Sequence, residues 1–168
     1  MANSSIVRKA KNRIIKEFIK DKEIIAAIDS KDIKPNESEK LIGKHIFNYN
    51  QNPHTLNIVG TFITVMVHIP QSYYTDYNAS STRVKPTIEI WIISHEKHMN
   101  VDNIPKVTQN RNDYLSELID SKINGKSGFG IGETMLISNI EGAFQADYLF
   151  RKMIFQCVDL NWSLCEDD

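Results

Sequence analysis

The stretch that decides the fold is Thr61-Phe62-Ile63-Thr64-Val65-Met66-Val67-His68-Ile69, which stops at Pro70. Ile63, Val65, Val67 and Ile69 share one side at period two, and Phe62, Thr64, Met66 and His68 share the other. Thr87-Ile88-Glu89-Ile90-Trp91-Ile92-Ile93 answers it, with Ile88, Ile90 and Ile92 on one side and Glu89, Trp91 and Ile93 on the other. Both runs are too β-branched for helices and too short to span a membrane. Their natural arrangement is an antiparallel pair with one face under helices. The connection, residues 71–86, reads as a long polar loop. It carries Tyr73, Tyr74 and Tyr77, then Asn78-Ala79-Ser80-Ser81-Thr82. Tyrosines on a polar loop suit a protein contact surface, although exposed aromatics also occur on loops that bind nothing.

Outward from this pair, the chain supplies two helical patterns and further strands. Ser4 or Ser5 caps a helix expected to run to about Asp29, with Ile14, Ile15, Phe18, Ile19, Ile25 and Ile28 as its apolar stripe. Lys9, Lys11, Arg13, Lys16, Lys20 and Lys22 decorate the rest. Such a basic helix can lie on phosphates or a membrane, but a solvated charged face is the simpler reading. A helical turn is expected over 38–42 and a short strand over 44–49. The second helix runs from Lys106 or Gln109 to Ile123, turns Leu115, Leu118, Ile119 and Ile123 to the core, and stops at Asn124-Gly125. Strands follow over 132–138 and 148–160, with a turn over 139–143 between them. The expected fold is α/β (α+β): one antiparallel or mixed sheet, a long N-terminal helix and a second helix on one face.

The 168 residues are 41% hydrophobic and 24% charged, with net charge −1, which fits one globular domain over residues 1–168 with a real core. The acidic tail, Glu166-Asp167-Asp168, is expected to fray. A near-neutral balance argues against a dedicated nucleic-acid binder. Cys157 and Cys165 make neither a disulfide framework nor a four-cysteine zinc site, so a reducing compartment is expected. The basic N-terminus has no unbroken apolar segment of the kind a signal peptide requires.

Catalytic motifs fail on spacing. Gly125-Lys126-Ser127 resembles the end of a phosphate-binding loop, but Asp120 stands where its first glycine belongs, and the order of elements is reversed. Gly128-Phe129-Gly130-Ile131-Gly132 leads into a strand, so no helix N-terminus awaits a phosphate. His95-Glu96-Lys97-His98 places its histidines three apart rather than the four a zinc-protease helix needs. His68 could join them only if the strands brought it near. No serine elbow and no paired carboxylates occur, so no enzyme, cofactor or metal is expected.

Several segments in order carry a resemblance. They are Lys44-His45-Ile46-Phe47-Asn48-Tyr49, Ile92-Ile93-Ser94-His95-Glu96-Lys97, Arg111-Asn112-Asp113, Phe129-Gly130-Ile131-Gly132-Glu133 and Val158-Asp159-Leu160-Asn161. With them, from about Ile14 to Asn161, the chain resembles the tail-terminator, or head–tail joining, proteins of tailed bacteriophages. The resemblance implies a protein that is monomeric or weakly associated when free. On the finished tail tube it would form a six-fold ring, end elongation and dock the head-completion protein. DNA would pass through without sequence-specific binding. The protein would belong to the virion's neck, after assembly in the host cytoplasm, with no membrane or cofactor involved. Two alternatives are another neck or head-completion protein and, from a different class, a small metal-dependent enzyme using His95 and His98.

Overall fold

A computed structural model describes residues 4–52, 58–69, 72–74, 82–84, 87–127, 133–144 and 147–157. The N-terminal helical region is two helices rather than one: α1, Ser4–Lys20, and α2, Lys22–Ile28. Asp21 adopts an extended conformation between them, and its carboxylate accepts from the amides of Glu23 at 2.8 Å and Ile24 at 3.0 Å. A side chain that satisfies two orphan N–H groups favours starting a new helix over continuing the old one. Helix α2 ends at Asp29, which takes the left-handed conformation with φ 51°. The helical turn expected over 38–42 is a 3-10 helix that starts earlier, over Pro35–Leu41.

The sheet has the order β1 (Ile46–Phe47), β2 (Thr61–His68), β5 (Thr87–His95), β7 (Tyr148–Cys157), β6 (Thr134–Phe144). Strand β1, Ile46–Phe47, is shorter than expected and runs parallel to β2, Thr61–His68. Strand β5, Thr87–His95, lies antiparallel to β2, with Ile63 opposite Ile92, Val65 opposite Ile90 and Val67 opposite Ile88. The two alternating patterns therefore share one buried face, as the sequence predicts. The connection between them is not purely a loop. It contains β3, Ser72–Tyr74, and β4, Thr82–Val84, paired antiparallel as a separate two-stranded sheet.

Helix α3, Arg111–Ile123, starts later than expected because the Asn110 side chain accepts from the Asp113 amide at 2.9 Å. Leu115, Ile119 and Ile123 are buried and Leu118 is partly so. Beyond the helix, Gly125 takes φ 66° and donates its amide to the Thr134 carbonyl at 2.7 Å. Thr134 Oγ1 in turn donates to the Ile123 carbonyl, tying the end of α3 to the start of β6.

Strand β6, Thr134–Phe144, overturns the turn expected at 139–143, and β7, Tyr148–Cys157, completes the hairpin. A bulge leaves Ile137 unpaired between Leu136 and Ser138. Residues 158–160 of the expected last strand lie outside the described residues, as does the whole glycine-rich run at 128–132. The main core lies between the helices and one sheet face, joining Ile14, Phe18, Ile24, Leu115 and Ile119 to Ile63, Val65, Ile90 and Phe155. A second cluster of Phe47, Phe62, Ile93 and Tyr148, flanked by Trp91, Phe144 and Phe150, sits on the other face. The architecture is α+β with a mixed sheet.

Candidate functional site

The two core strands end in hydroxyls. Thr61 begins β2 opposite Ser94 near the end of β5, and their Oγ atoms lie 2.8 Å apart. Thr61 Oγ1 also meets His98 Nδ1 at 2.9 Å, and His98 Nε2 stands 3.4 Å from the Asp29 carboxylate. Ser94 donates to Asn112 Oδ1 at 2.7 Å, and Asn112 Nδ2 donates to the Leu149 carbonyl at 3.1 Å. A carboxylate, an imidazole and a hydroxyl in a row have the outline of a hydrolytic triad. Thr61 and Ser94 are wholly buried, however, so neither hydroxyl can meet a substrate. The row instead links α2, α3, β2, β5 and β7 across the end of the sheet. Burial and the nearby Arg111 cation hold the His98 pKa below the usual imidazole value, with Asp29 opposing them in part.

Arg111 is the residue that sequence reasoning missed. It is only 2% exposed and is the largest fully buried side chain among the described residues. Its guanidinium donates to the carbonyls of Ala27 at 2.5 Å, His98 at 2.6 Å and Asn100 at 2.5 Å, with Asp29 at 3.4 Å. Asn103 covers the neighbouring Ala26 carbonyl at 2.7 Å. Two side chains from a later segment thus satisfy the C-terminal carbonyls that α2 leaves without partners. The signal in the sequence is weak: Asp29 just past an apolar run is a cap needing a cation, but nothing nearby says which cation answers it.

Strand register keeps His68 away from His95 and His98. His68 pairs with Thr87, at the end of β2 remote from Thr61 and Ser94. Seven residues of strand at ~3.3 Å each set it roughly 23 Å away. His68 faces Glu89 at 3.4 Å, and His95 accepts from the Lys97 amide at 3.1 Å while its ring meets Tyr148 edge-on. Among the described residues, no three histidine, cysteine or acidic side chains group as metal ligands.

A cleft of about 290 Å³ opens beside Asn112, between α3 and the β6–β7 hairpin, lined also by Met99, Asp113, Glu141, Leu149 and Arg151. Arg151 is engaged there by Asp113, by Glu141 at 3.1 Å and by Asn139 at 3.2 Å, so its charge is already matched. On the opposite sheet face Trp91 packs against Phe150 at 4.7 Å and Phe144 at 6.2 Å, with Lys152 over its ring at 5.1 Å. Gly142 makes room for this group, because a Cβ there would stand 2.8 Å from the Phe150 ring.

Of the contact residues expected from sequence, Tyr73 and Tyr74 fall in β3, at register positions opposite Arg83 and Thr82. Tyr77 lies outside the described residues. The surface feature that sequence reading did not single out is β6. It forms one edge of the main sheet and exposes Met135, Ile137 and Ile140. No helix is long and apolar enough to cross a membrane among the described residues. No curated protein matches the chain. The model of the YomW family matches residues 12–157, the greater part of the chain, and the protein is a member of the YomW family.

Proposed function

We propose that this chain is a structural protein of tailed bacteriophages that closes the tail tube as a ring, ends tail growth and joins the tail to the head. The observation that carries the reading is how its polar and apolar groups are divided. Arg111, His98 and Arg151 are bound into internal networks, while β6 leaves the outer edge beyond its bulge and three large apolar side chains open to solvent. That is the profile of a part that works by contact. In this reading the partners are further copies of the chain, the tail-tube protein and the head-completion protein, and DNA passes through without base-specific contact. The protein acts in the virion's neck after assembly in the host cytoplasm, as a non-enzyme without cofactor.

Deleting the gene from the phage tests it. The expected result is DNA-filled heads and unjoined tails, some of them overgrown; normal joined particles in the deletion strain would end the reading. Replacing Tyr73, Tyr74 and Tyr77 together with serine is expected to leave folding intact and weaken joining, measured by circular dichroism and particle counts. Unfolding would instead place those tyrosines in the core.

A further inference from the structure

Strand β6 is an anomaly as an edge. It pairs only with β7 among the described strands, runs for eleven residues and contains neither proline nor lysine. Met135, Ile137 and Ile140 on it are 53%, 53% and 50% exposed. Folded proteins ordinarily protect such an edge, because its free N–H and C=O groups are a template for another strand. The opposite edge shows the usual protection, since β1 is only two residues long. Before the bulge at Ile137 the outer edge is already engaged, since Thr134 exchanges hydrogen bonds with Gly125 and Lys126 and the Leu136 amide donates to Asn124 Oδ1 at 3.0 Å, so among the described residues the open stretch is the half beyond it.

The β3–β4 hairpin presents the converse problem. Its two strands have three residues each and form a sheet of their own, joined to no strand of the main sheet among the described residues. A two-stranded hairpin of this size is marginal in water and gains from a third strand. Charge also fits. Strand β4 carries Arg83, whereas β6 has no basic residue; exposed Glu133 lies just before β6, and Glu141 near its end is 74% exposed while it shares Arg151 with Asp113.

We infer that β4 of one copy adds as an extra strand to the β6 edge of a second copy, over the half beyond the bulge that holds Ile140 and Glu141. The inference rests on the ring reading and names its contact. Donor and acceptor are different surfaces of the chain, so the contact is heterologous and repeats from copy to copy, as a ring requires. Pairing β6 with β6 would be isologous and would stop at two. A three-residue strand makes only a small contact. It is therefore weak between two free copies and effective once a closed ring raises the local concentration.

Photo-crosslinking of the full-length chain tests this contact, because it traps weak encounters. The substitution Ile140→p-benzoyl-phenylalanine is placed in otherwise unchanged protein, irradiated at high concentration, and the linked peptides are identified by mass spectrometry. The expected product joins position 140 to the peptide spanning 72–84 of another copy. Arg83→Glu should cut its yield at least fivefold, and adding Glu141→Lys should restore it, with circular dichroism confirming the fold of each variant. Crosslinks to 133–144, to any other surface, or none between copies would overturn the inference. Its failure is distinct from failure of the ring reading. Unjoined tails in the deletion strain without this crosslink would remove the contact alone, whereas the crosslink together with normal particles would remove the ring reading alone.

Discussion

Replacing Arg111 with alanine is expected to cost the protein much of its stability. The guanidinium supplies the donors for three carbonyls, those of Ala27, His98 and Asn100, at 2.5–2.6 Å. Each buried acceptor left without a partner costs about 1–3 kcal/mol. Asp29 loses a cation 3.4 Å away, but it is 39% exposed and water compensates most of that loss. Water entering the vacated space also satisfies part of the carbonyl deficit. The expected loss is therefore about 3–5 kcal/mol, the usual range for breaking a buried charged network. Total stabilities run to about 5–15 kcal/mol, so the variant sits near the edge of folding. With a urea slope of about 2 kcal/mol/M, its midpoint falls by roughly 2 M in a titration followed by tryptophan fluorescence. Arg111→Lys keeps the charge, but one ammonium cannot reproduce the planar fork, so an intermediate loss is expected. A loss below about 1 kcal/mol for the alanine variant would refute the assignment of Arg111 as the link between α2 and α3.

Gly142→Ala should destabilise by about 1–3 kcal/mol, because the added methyl meets a Phe150 ring already held against Trp91; thermal unfolding measures it, and Phe150→Leu in the same chain should recover part of the loss. The folded state holds the His98 pKa below its free value of 6.5, through burial first and then Arg111, so below about pH 6.5 the unfolded chain binds the extra proton more readily. Stability should accordingly fall as pH drops from about 7.5 to 5.5, with no His98 contribution above that window, and His98→Gln should flatten this slope in melting curves. His45, whose pKa is lowered chiefly by burial, adds a slope of the same sign that the His98 variant retains.

How legible the molecule was in its sequence depended on how local each determinant is. The β2–β5 pair was readable because alternation over eight or nine residues fixes which side chains must be inside, and Ile63, Val65, Ile90 and Ile92 all are. The break at Asp21 was missed because the apolar stripe continues across it, while the cap depends on one carboxylate turning back onto two amides. Within the turn expected at 139–143, Asn139 and Gly142 are ordinarily turn residues. Here tertiary packing overrides that preference, since the glycine is a slot for Phe150 within a continuous strand. Histidine spacing could not reveal that His68 and His98 belong to opposite ends of one sheet, because pairing register decides that. Arg111 was illegible for the deepest reason: its partners lie up to 84 residues away.

The order of the strands also governs how the chain is made. Strand β7, the last of the described strands to leave the ribosome, lies inside the sheet between β5 and β6. Until residues 148–157 have been translated, β5 lacks one neighbour and β6 has no strand to attach to. At roughly 5–20 residues per second, most of the chain waits several seconds for the segment that joins β6 to the sheet. A product truncated before Tyr148 therefore cannot hold β6 in the main sheet at all. Interrupted translation thus yields a chain whose sheet ends at β5, with the β6 segment left without its place in it.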